Sequence, residues 1–352
     1  MRKSLLEVLA DPVSKHPLEL EEREAGPGGE TVEGALVGPR GSRYPVTGGI
    51  PRFVLTDDAG QRQTEGSFGF KWRQRDSYEN EGFLRTYREW LVAKYGFGSA
   101  EEMRRYFGAR RWVMDAGCGA GMGASVWLDE TWRGAGRGEW VGVDISEAAD
   151  VARDRLGAIP GTNFVQADVL QLPFREGSFD IIFSEGVLHH TPSTERAFKS
   201  LVPLLAEGGE VMFYVYRKKS PVREFTDDYI RGLVSEMPPE RAWELMRPLT
   251  RLAQALSELR AEVEVPEDVP FLEIKAGRYD VQRLIYWHFA KLFWSEGFGF
   301  EGSHNVNFDW YHPRYAHRQT EEEVRRWCGE AGLSVTHFDA QESGYTVRAV
   351  RG

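Results

Sequence analysis

The sequence predicts an α/β protein built on a mostly parallel sheet with helices on both faces, and three observations carry that reading. First, the run Val113-Met114-Asp115 enters a glycine-alternating turn, Ala116-Gly117-Cys118-Gly119-Ala120-Gly121-Met122-Gly123. Glycine is needed where φ is unusual or where a ligand lies against the backbone, and a helix starting beyond the turn would offer unpaired N–H groups. Second, strand-like runs alternate with helical stretches: Arg111–Asp115, Trp140–Asp144, Asn163–Asp168, Phe179–Phe183 and Glu210–Tyr216. Such alternation implies a parallel sheet covered on both faces. Third, three of these runs end in an acid: Asp115, Asp144 and Asp168. Ligands of open α/β sheets bind outside the carboxyl ends of the strands, so the three carboxylates are expected around one crevice.

Composition bounds the rest. The 352 residues are 41% hydrophobic and 28% charged, as expected of a soluble globular protein of about two domains. A net charge of −10 argues against a large nucleic-acid footprint, which needs a basic face. No run is long and apolar enough for a membrane span, and Met1-Arg2-Lys3-Ser4 opens no signal peptide. The two cysteines, Cys118 and Cys328, exclude a disulfide framework and point to a cytoplasmic setting.

The glycine spacing is D-x-G-x-G-x-G, which departs from the dinucleotide pattern G-x-G-x-x-G. Together with Asp144, Asp168, the phrase Phe179–His190 and the turn Glu207-Gly208-Gly209, it resembles class I S-adenosylmethionine (SAM)-dependent methyltransferases. The resemblance implies a Rossmann-like core over residues 65–216, closed by 318–352 with an antiparallel last strand. It implies SAM as cofactor, with Gly117, Gly119 and Gly121 letting the backbone approach the methionine part. Asp144 would take the ribose hydroxyls, and Asp168 the adenine amino group with Val169 against the ring. Asp115, Ile145, Ser184 and Trp72 complete the expected cofactor set. A dinucleotide oxidoreductase is the nearest rival. The glycine spacing and Asp168 stand against it.

Residues 1–56 read as a small β module with strands at Leu18–Leu20, Ala35–Val37, Arg43–Val46 and Arg52–Val54. The phrases Leu9–Lys15 and Tyr44–Pro51 resemble a zinc-ribbon-like domain that partners transfer-RNA and protein methyltransferases. The positions matching that domain's cysteines are Asp11, Ser14, Gly38 and Gly41, so no metal is expected. Asp57–Thr64 reads as a polar linker. Ser67-Phe68-Gly69-Phe70-Lys71-Trp72 would either fold over the cofactor, with Lys71 or Arg73 near its carboxylate, or staple the domains. Glu79–Tyr95 carries one apolar stripe, Phe83, Tyr87, Leu91 and Tyr95, and Ala100–Phe107 follows as a second helix.

Residues 217–317 read as a helical insertion that could form a lid: Val222–Val234, Pro239–Ala261 with Pro248 inside it, and Tyr279–Trp294. The last is apolar on most faces, which means burial, a pocket wall or a homodimer contact. Asn307–His317 reads as an aromatic loop, with Tyr311 and His312, and Tyr216 beside them, as candidate substrate contacts. His189 and His190 follow the fourth strand, where a histidine could take the acceptor's proton. Thr320 and Glu323 form a capping-box pattern opening the final helix, before strands at Leu333–Phe338 and Tyr345–Val350. The expected function is methyl transfer to a small molecule, at O or N rather than C. The alternatives are a transfer-RNA or protein methyltransferase and a non-catalytic partner subunit.

Overall fold

A computed structural model describes residues 1–54, 57–129, 131–132 and 138–352. The first four strands, β1 (Glu19–Ala25), β2 (Thr31–Val37), β3 (Arg43–Thr47) and β4 (Ile50–Pro51), pair antiparallel in sequence order. Side chains alternate across β3, so Tyr44 and Val46 enter the module's core while Arg43 and Thr47 face water. Where the zinc-ribbon resemblance would set a ligand, Asp11 accepts from the amides of Val13 and Ser14 at 3.0 and 2.7 Å. The hydroxyls of Ser42 and Tyr44 reach its second oxygen at 2.7 and 2.9 Å.

Arg52–Val54 is not the module's last strand, as the sequence suggested. The Phe53 amide donates to the Gln166 carbonyl at 2.7 Å, and the Arg52 guanidinium forks onto Asp150 at 2.8–2.9 Å. A sheet edge presents unpaired backbone groups, and this segment covers them. The expected boundary at residue 56 falls on Leu55 and Thr56, outside the described residues.

The expected linker is also corrected. Asp58 caps a helix by accepting from the Gln61 amide at 2.7 Å, and α1 (Ala59–Arg73) includes the whole Phe-Gly-Phe-Lys-Trp phrase. Its three glycines, Gly60, Gly66 and Gly69, lower its helical propensity. Packing holds it, with the Phe70 ring 5.7 Å from Trp243 and 5.6 Å from Phe308. Asn80 and Ser99 cap α2 (Glu81–Lys94) and α3 (Ala100–Gly108).

The central sheet is built from β5 (Trp112–Ala116), β6 (Glu139–Asp144), β7 (Thr162–Gln166), β8 (Phe179–Glu185) and β9 (Leu205–Tyr216), all parallel. Between them run α4 (Ala148–Leu156) and α5 (Thr194–Leu201). The insertion comprises α6 (Pro221–Val234), α7 (Pro239–Glu258), a hairpin of β10 (Glu262–Val265) and β11 (Gly277–Asp280), α8 (Val281–His288) and α9 (Gly299–Tyr311). Then come α10 (Glu321–Glu330), with both halves of the capping box formed, and the antiparallel pair β12 (Leu333–Ala340) and β13 (Gly344–Arg351). Among the described residues the sheet order is β12-β13-β9-β8-β5-β6-β7. The chain therefore changes direction across the sheet between β5 and β8, which is where such sheets bind ligands. No helix among the described residues is long and apolar enough to cross a membrane.

Three helical expectations shift. Among the described residues no α-helix separates the glycine turn from β6. The chain makes a single 3-10 turn, Ala124–Val126, where the Ser125 hydroxyl bonds the Met122 carbonyl at 2.7 Å and competes with helical pairing. The helix expected over Tyr279–Trp294 ends at His288, and Asn307–Tyr311, expected as loop, is the last turn of α9. Among the described residues the insertion's exposed apolar side chains lie instead on α6 (Phe225, Tyr229, Leu233), on α7 and just past its end (Leu245, Leu252, Leu259), and on and within the hairpin (Val263, Phe271).

Candidate active site

Beyond the carboxyl ends of β5, β6, β8 and β9 opens a cavity of about 500 Å³, within the range of small-molecule sites. Asp115, Asp144 and Asp168 all line it and are 2%, 8% and 7% exposed. Asp144 is oriented by its own neighbours. One oxygen accepts from the amide and hydroxyl of Ser146 at 2.9 and 2.7 Å, the other from the Gly119 amide at 2.9 Å. Burial raises its pKa, offset in part by those donors. Asp168 accepts from the Leu170 amide at 2.8 Å, and burial raises its pKa too. Asp115 finds no hydrogen-bond donor among the described residues. Burial, then the nearby Asp144, lifts its carboxyl well above the ordinary range.

The glycine turn has φ +87° at Gly117 and +52° at Gly119, left-handed values that disfavour any side chain. Space matters as well. A Cβ at Gly117 would sit 2.2 Å from Val187, and one at Gly119 would sit 2.6 Å from the Trp72 ring. Gly121 serves packing rather than the cavity, because a Cβ there would meet Leu156 of α4 at 2.5 Å. Ile145, Val169 and Trp72 line the cavity as expected, whereas Ser184 does not. Its hydroxyl donates to the Ala116 carbonyl at 2.9 Å, tying β8 to β5.

The wall opposite the glycine turn comes from the insertion. Asn305, Val306 and Asp309 share one face of α9, and Lys291, Tyr286 and Trp287 join them. Lys71 of α1 meets Asp309 at 3.0 Å, and the Tyr216 hydroxyl approaches the same carboxylate at 3.4 Å. Burial pushes the Asp309 carboxyl up, but Lys71 and His190 outweigh it and hold it below its ordinary value. Arg73, the other basic residue considered at this end, instead pairs with Glu147 on the surface at 3.2 Å.

The two histidines separate. His190 lines the cavity, and its Nδ1 lies 2.6 Å from the Tyr315 carbonyl. His189 lies behind it, stacked on Tyr216 with centroids 3.6 Å apart, and neither ring nitrogen has a partner among the described residues. Tyr311 and His312 do not reach the cavity. The Tyr311 hydroxyl donates to Asp227 at 2.8 Å, while His312 bridges Ser67 and the Met237 carbonyl. Tyr311 sits on the face of α9 turned toward α6, and His312, the residue that caps the helix, packs against α1 and the segment after α6. Asp309, two residues before Tyr311, is turned about 200° from it, onto the cavity face. Sequence reasoning missed Asp309 and Lys291. Reading 299–311 as a helix would have set Asn305, Val306 and Asp309 on one side.

Residues 114–213 match a family model described as "Methyltransferase domain". This segment is similar to a methyltransferase domain. Over 116 residues the chain is 30% identical to a phthiotriol/phenolphthiotriol dimycocerosates methyltransferase 1 of Mycobacterium ulcerans, covering 33% of this chain and 41% of that one. It is 34% identical over 117 residues to a probable tRNA methyltransferase 9B of Mus musculus, covering 32% of this chain and 23% of the relative. The chain thus spans less than half the length of these curated relatives. Among solved structures, magnesium protoporphyrin IX methyltransferase from Synechocystis with bound SAM overlaps 85% of this chain and all of that one, at 15% identity and a TM-score of 0.41.

The cavity's chemistry fits S-adenosylmethionine. A buried carboxylate with no protein donor, Asp115, suits an ammonium group. Asp144 and Asp168 present acceptors for hydroxyl and amino donors. Trp72, Ile145 and Val169 supply apolar walls.

Proposed function

We propose that the whole chain is a SAM-dependent methyltransferase acting on a small-molecule acceptor at oxygen or nitrogen. The observation that carries this reading is the chamber past the glycine turn. Its far wall is built by α8, α9 and the segment between them, around Asp309 and Lys291. A chamber closed by an insertion suits an acceptor that can be surrounded, and excluding water favours in-line displacement.

Bound SAM supplies an electrophilic methyl group on a sulfonium. The chain's own residues do the rest. Asp144 would receive the ribose hydroxyls, Asp168 the adenine amino group and Asp115 the ammonium, presenting a methyl group that an acceptor would take as the carbon–sulfur bond breaks and its electron pair passes to sulfur. His190, whose neutral imidazole forms part of the cavity wall, is the group assigned to take the acceptor's proton. Tyr216, aimed at Asp309, packs beside both histidines and positions the acceptor against His190.

A transfer-RNA acceptor is the second reading, favoured by the likeness to proteins named for that activity. The experiment that separates them supplies radiolabelled SAM with small-molecule extract, bulk transfer RNA or bulk protein. Label in the small-molecule fraction alone is the expected result. Label in transfer RNA would replace this reading, and no turnover with any acceptor would favour a non-catalytic partner.

A further inference from the structure

Lys291 is 6% exposed and forms part of the cavity wall, yet its ammonium has no hydrogen-bonding or ion-pair partner among the described residues. Its backbone is fixed in place. The Lys291 amide donates to the Tyr311 hydroxyl at 2.9 Å and to Asp227 at 3.2 Å. Its Nζ lies 4.3 Å from the Trp310 ring centroid and 5.8 Å from that of Tyr216. Aromatic faces favour a cation there, but they do not neutralise it. The nearest acid on the same wall, Asp309, is already engaged by Lys71 at 3.0 Å. At the rim a second cation, Arg283, lines the same cavity and makes no ion pair among the described residues.

A buried ammonium left without a counter-charge is costly, and burial pulls the Lys291 pKa down to about 7. A ligand that brings one negative charge would relieve that cost. Tyr214, Tyr286, Trp287 and Phe293 line the surrounding space, which suits a flat, unsaturated body rather than a sugar. Glu185 and Asp309, which also face the chamber, are already paired with Lys94 and Lys71, so the buried charge left to answer on this wall is that of Lys291, which one carboxylate matches.

Resting on the methyltransferase reading above, we propose that the methyl acceptor is an aromatic monocarboxylate whose carboxylate is held by Lys291, with Arg283 guiding it at the rim. The carboxylate lies toward the insertion and the nucleophilic atom toward His190. The Lys71–Asp309 pair and Tyr216 stand between the two ends. Lys291 is thus a specificity-determining residue, and the insertion supplies it.

The test measures binding to the full chain in the presence of S-adenosylhomocysteine, using 4-hydroxybenzoate, its neutral isostere 4-hydroxybenzamide and the dianion 4-hydroxyphenyl phosphate. The acid should bind wild-type protein roughly tenfold or more tighter than the amide, the scale of one charge-assisted hydrogen bond. Lys291→Met should abolish that preference and Lys291→Arg should retain it, both with S-adenosylhomocysteine affinity unchanged. Equal affinity for acid and amide, binding of neither, or a preference that survives in Lys291→Met would overturn the proposal. Tighter binding of the phosphate would overturn the carboxylate assignment. If Lys291→Met does not fold, the acid-to-amide ratio of the wild type decides alone. Failure to bind S-adenosylhomocysteine would count against the methyltransferase reading itself, so the two failures are distinguishable.

Discussion

His190 Nδ1 lies 2.6 Å from the backbone carbonyl of Tyr315, and this one contact sets the ring's tautomer. A carbonyl can only accept, so the proton sits on Nδ1 and Nε2 keeps its lone pair. Nε2 is buried and has no partner among the described residues. Burial pushes the imidazole down to about 4, so the ring is neutral and ready to accept a proton at ordinary pH.

His190→Gln is therefore expected to lower kcat by roughly 10²–10⁴-fold, the usual contribution of a general base. SAM affinity should stay nearly unchanged. The low-pH limb of kcat/KM should lie near pH 4 in the wild type, because protonation of His190 removes the base. His189→Gln, behind the cavity wall, should cost far less. Steady-state kinetics over a pH series checks this, and a rise in KM with kcat intact would reduce His190 to a positioning role.

Asp144→Ala should weaken SAM binding by about 1–3 kcal/mol, the scale for losing a charge-assisted hydrogen-bond partner. The same change frees the Gly119 amide and the Ser146 donors that the carboxylate now holds. Calorimetry with SAM and with NADH reads the outcome. Tight NADH binding without SAM binding would reverse the cofactor assignment.

The sheet and its crevice were legible because strand-end acids and glycine spacing are local signals with a period the chain cannot hide. The insertion was legible as helical but not in its faces. Tyr311 and His312 drew notice by residue type. Their burial depends on Asp227 and Ser67, far away in sequence. The segment Asp57–Thr64 read as a linker because it is polar and shows no apolar stripe, and the packing of α1 on α7 and α9 that makes it helical involves residues far away in sequence. Lys291 gave no signal at all. A lysine in an apolar stretch becomes meaningful only when the fold denies it a counter-ion.

Stability should fall on acidification partly through His304. Its Nε2–H donates to the Trp243 carbonyl and its Nδ1 takes the Thr250 hydroxyl, each at 2.9 Å, inside the insertion's core. Burial lowers its pKa to about 4, against about 6.5 in the unfolded chain. Between those values the unfolded state binds more protons. The contribution is complete above about pH 6.5 and is lost as pH falls toward 4, on the order of 3 kcal/mol in all. Asp115, raised by burial, acts with the opposite sign in part of that window. The His304 contribution is therefore read as the difference in urea midpoint between wild type and His304→Gln across pH 4–7. A constant difference would show that His304 does not titrate with unfolding.

In the N-terminal module, Asp11→Ala should destabilise by about 1–3 kcal/mol, because the carboxylate collects several donors that would be left unpaired. Added zinc should restore none of it. Stoichiometric zinc in elemental analysis of the wild type, with recovery of the variant's melting temperature on zinc addition, would reverse this expectation.

Asp227 should be the most sensitive position of the insertion. It is 1% exposed and accepts from Arg223 Nε at 2.7 Å, Trp310 Nε1 at 2.8 Å, the Tyr311 hydroxyl at 2.8 Å and the Lys291 amide at 3.2 Å. These donors come from α6, α9 and the segment before α9, so one carboxylate joins three parts of the chamber's outer wall. Asp227→Ala leaves the Arg223 guanidinium, also 1% exposed, without its counter-charge. Removing one partner of a buried pair costs about 3–5 kcal/mol. Asp227→Asn keeps the shape and part of the hydrogen bonding, so it should cost less. Chemical denaturation of both variants measures the difference. If the insertion unfolds separately from the sheet, Asp227→Ala should lose acceptor binding while SAM binding at the glycine turn persists. A loss below about 1 kcal/mol would mean that Arg223 finds other acceptors, such as the Tyr286 carbonyl it already reaches.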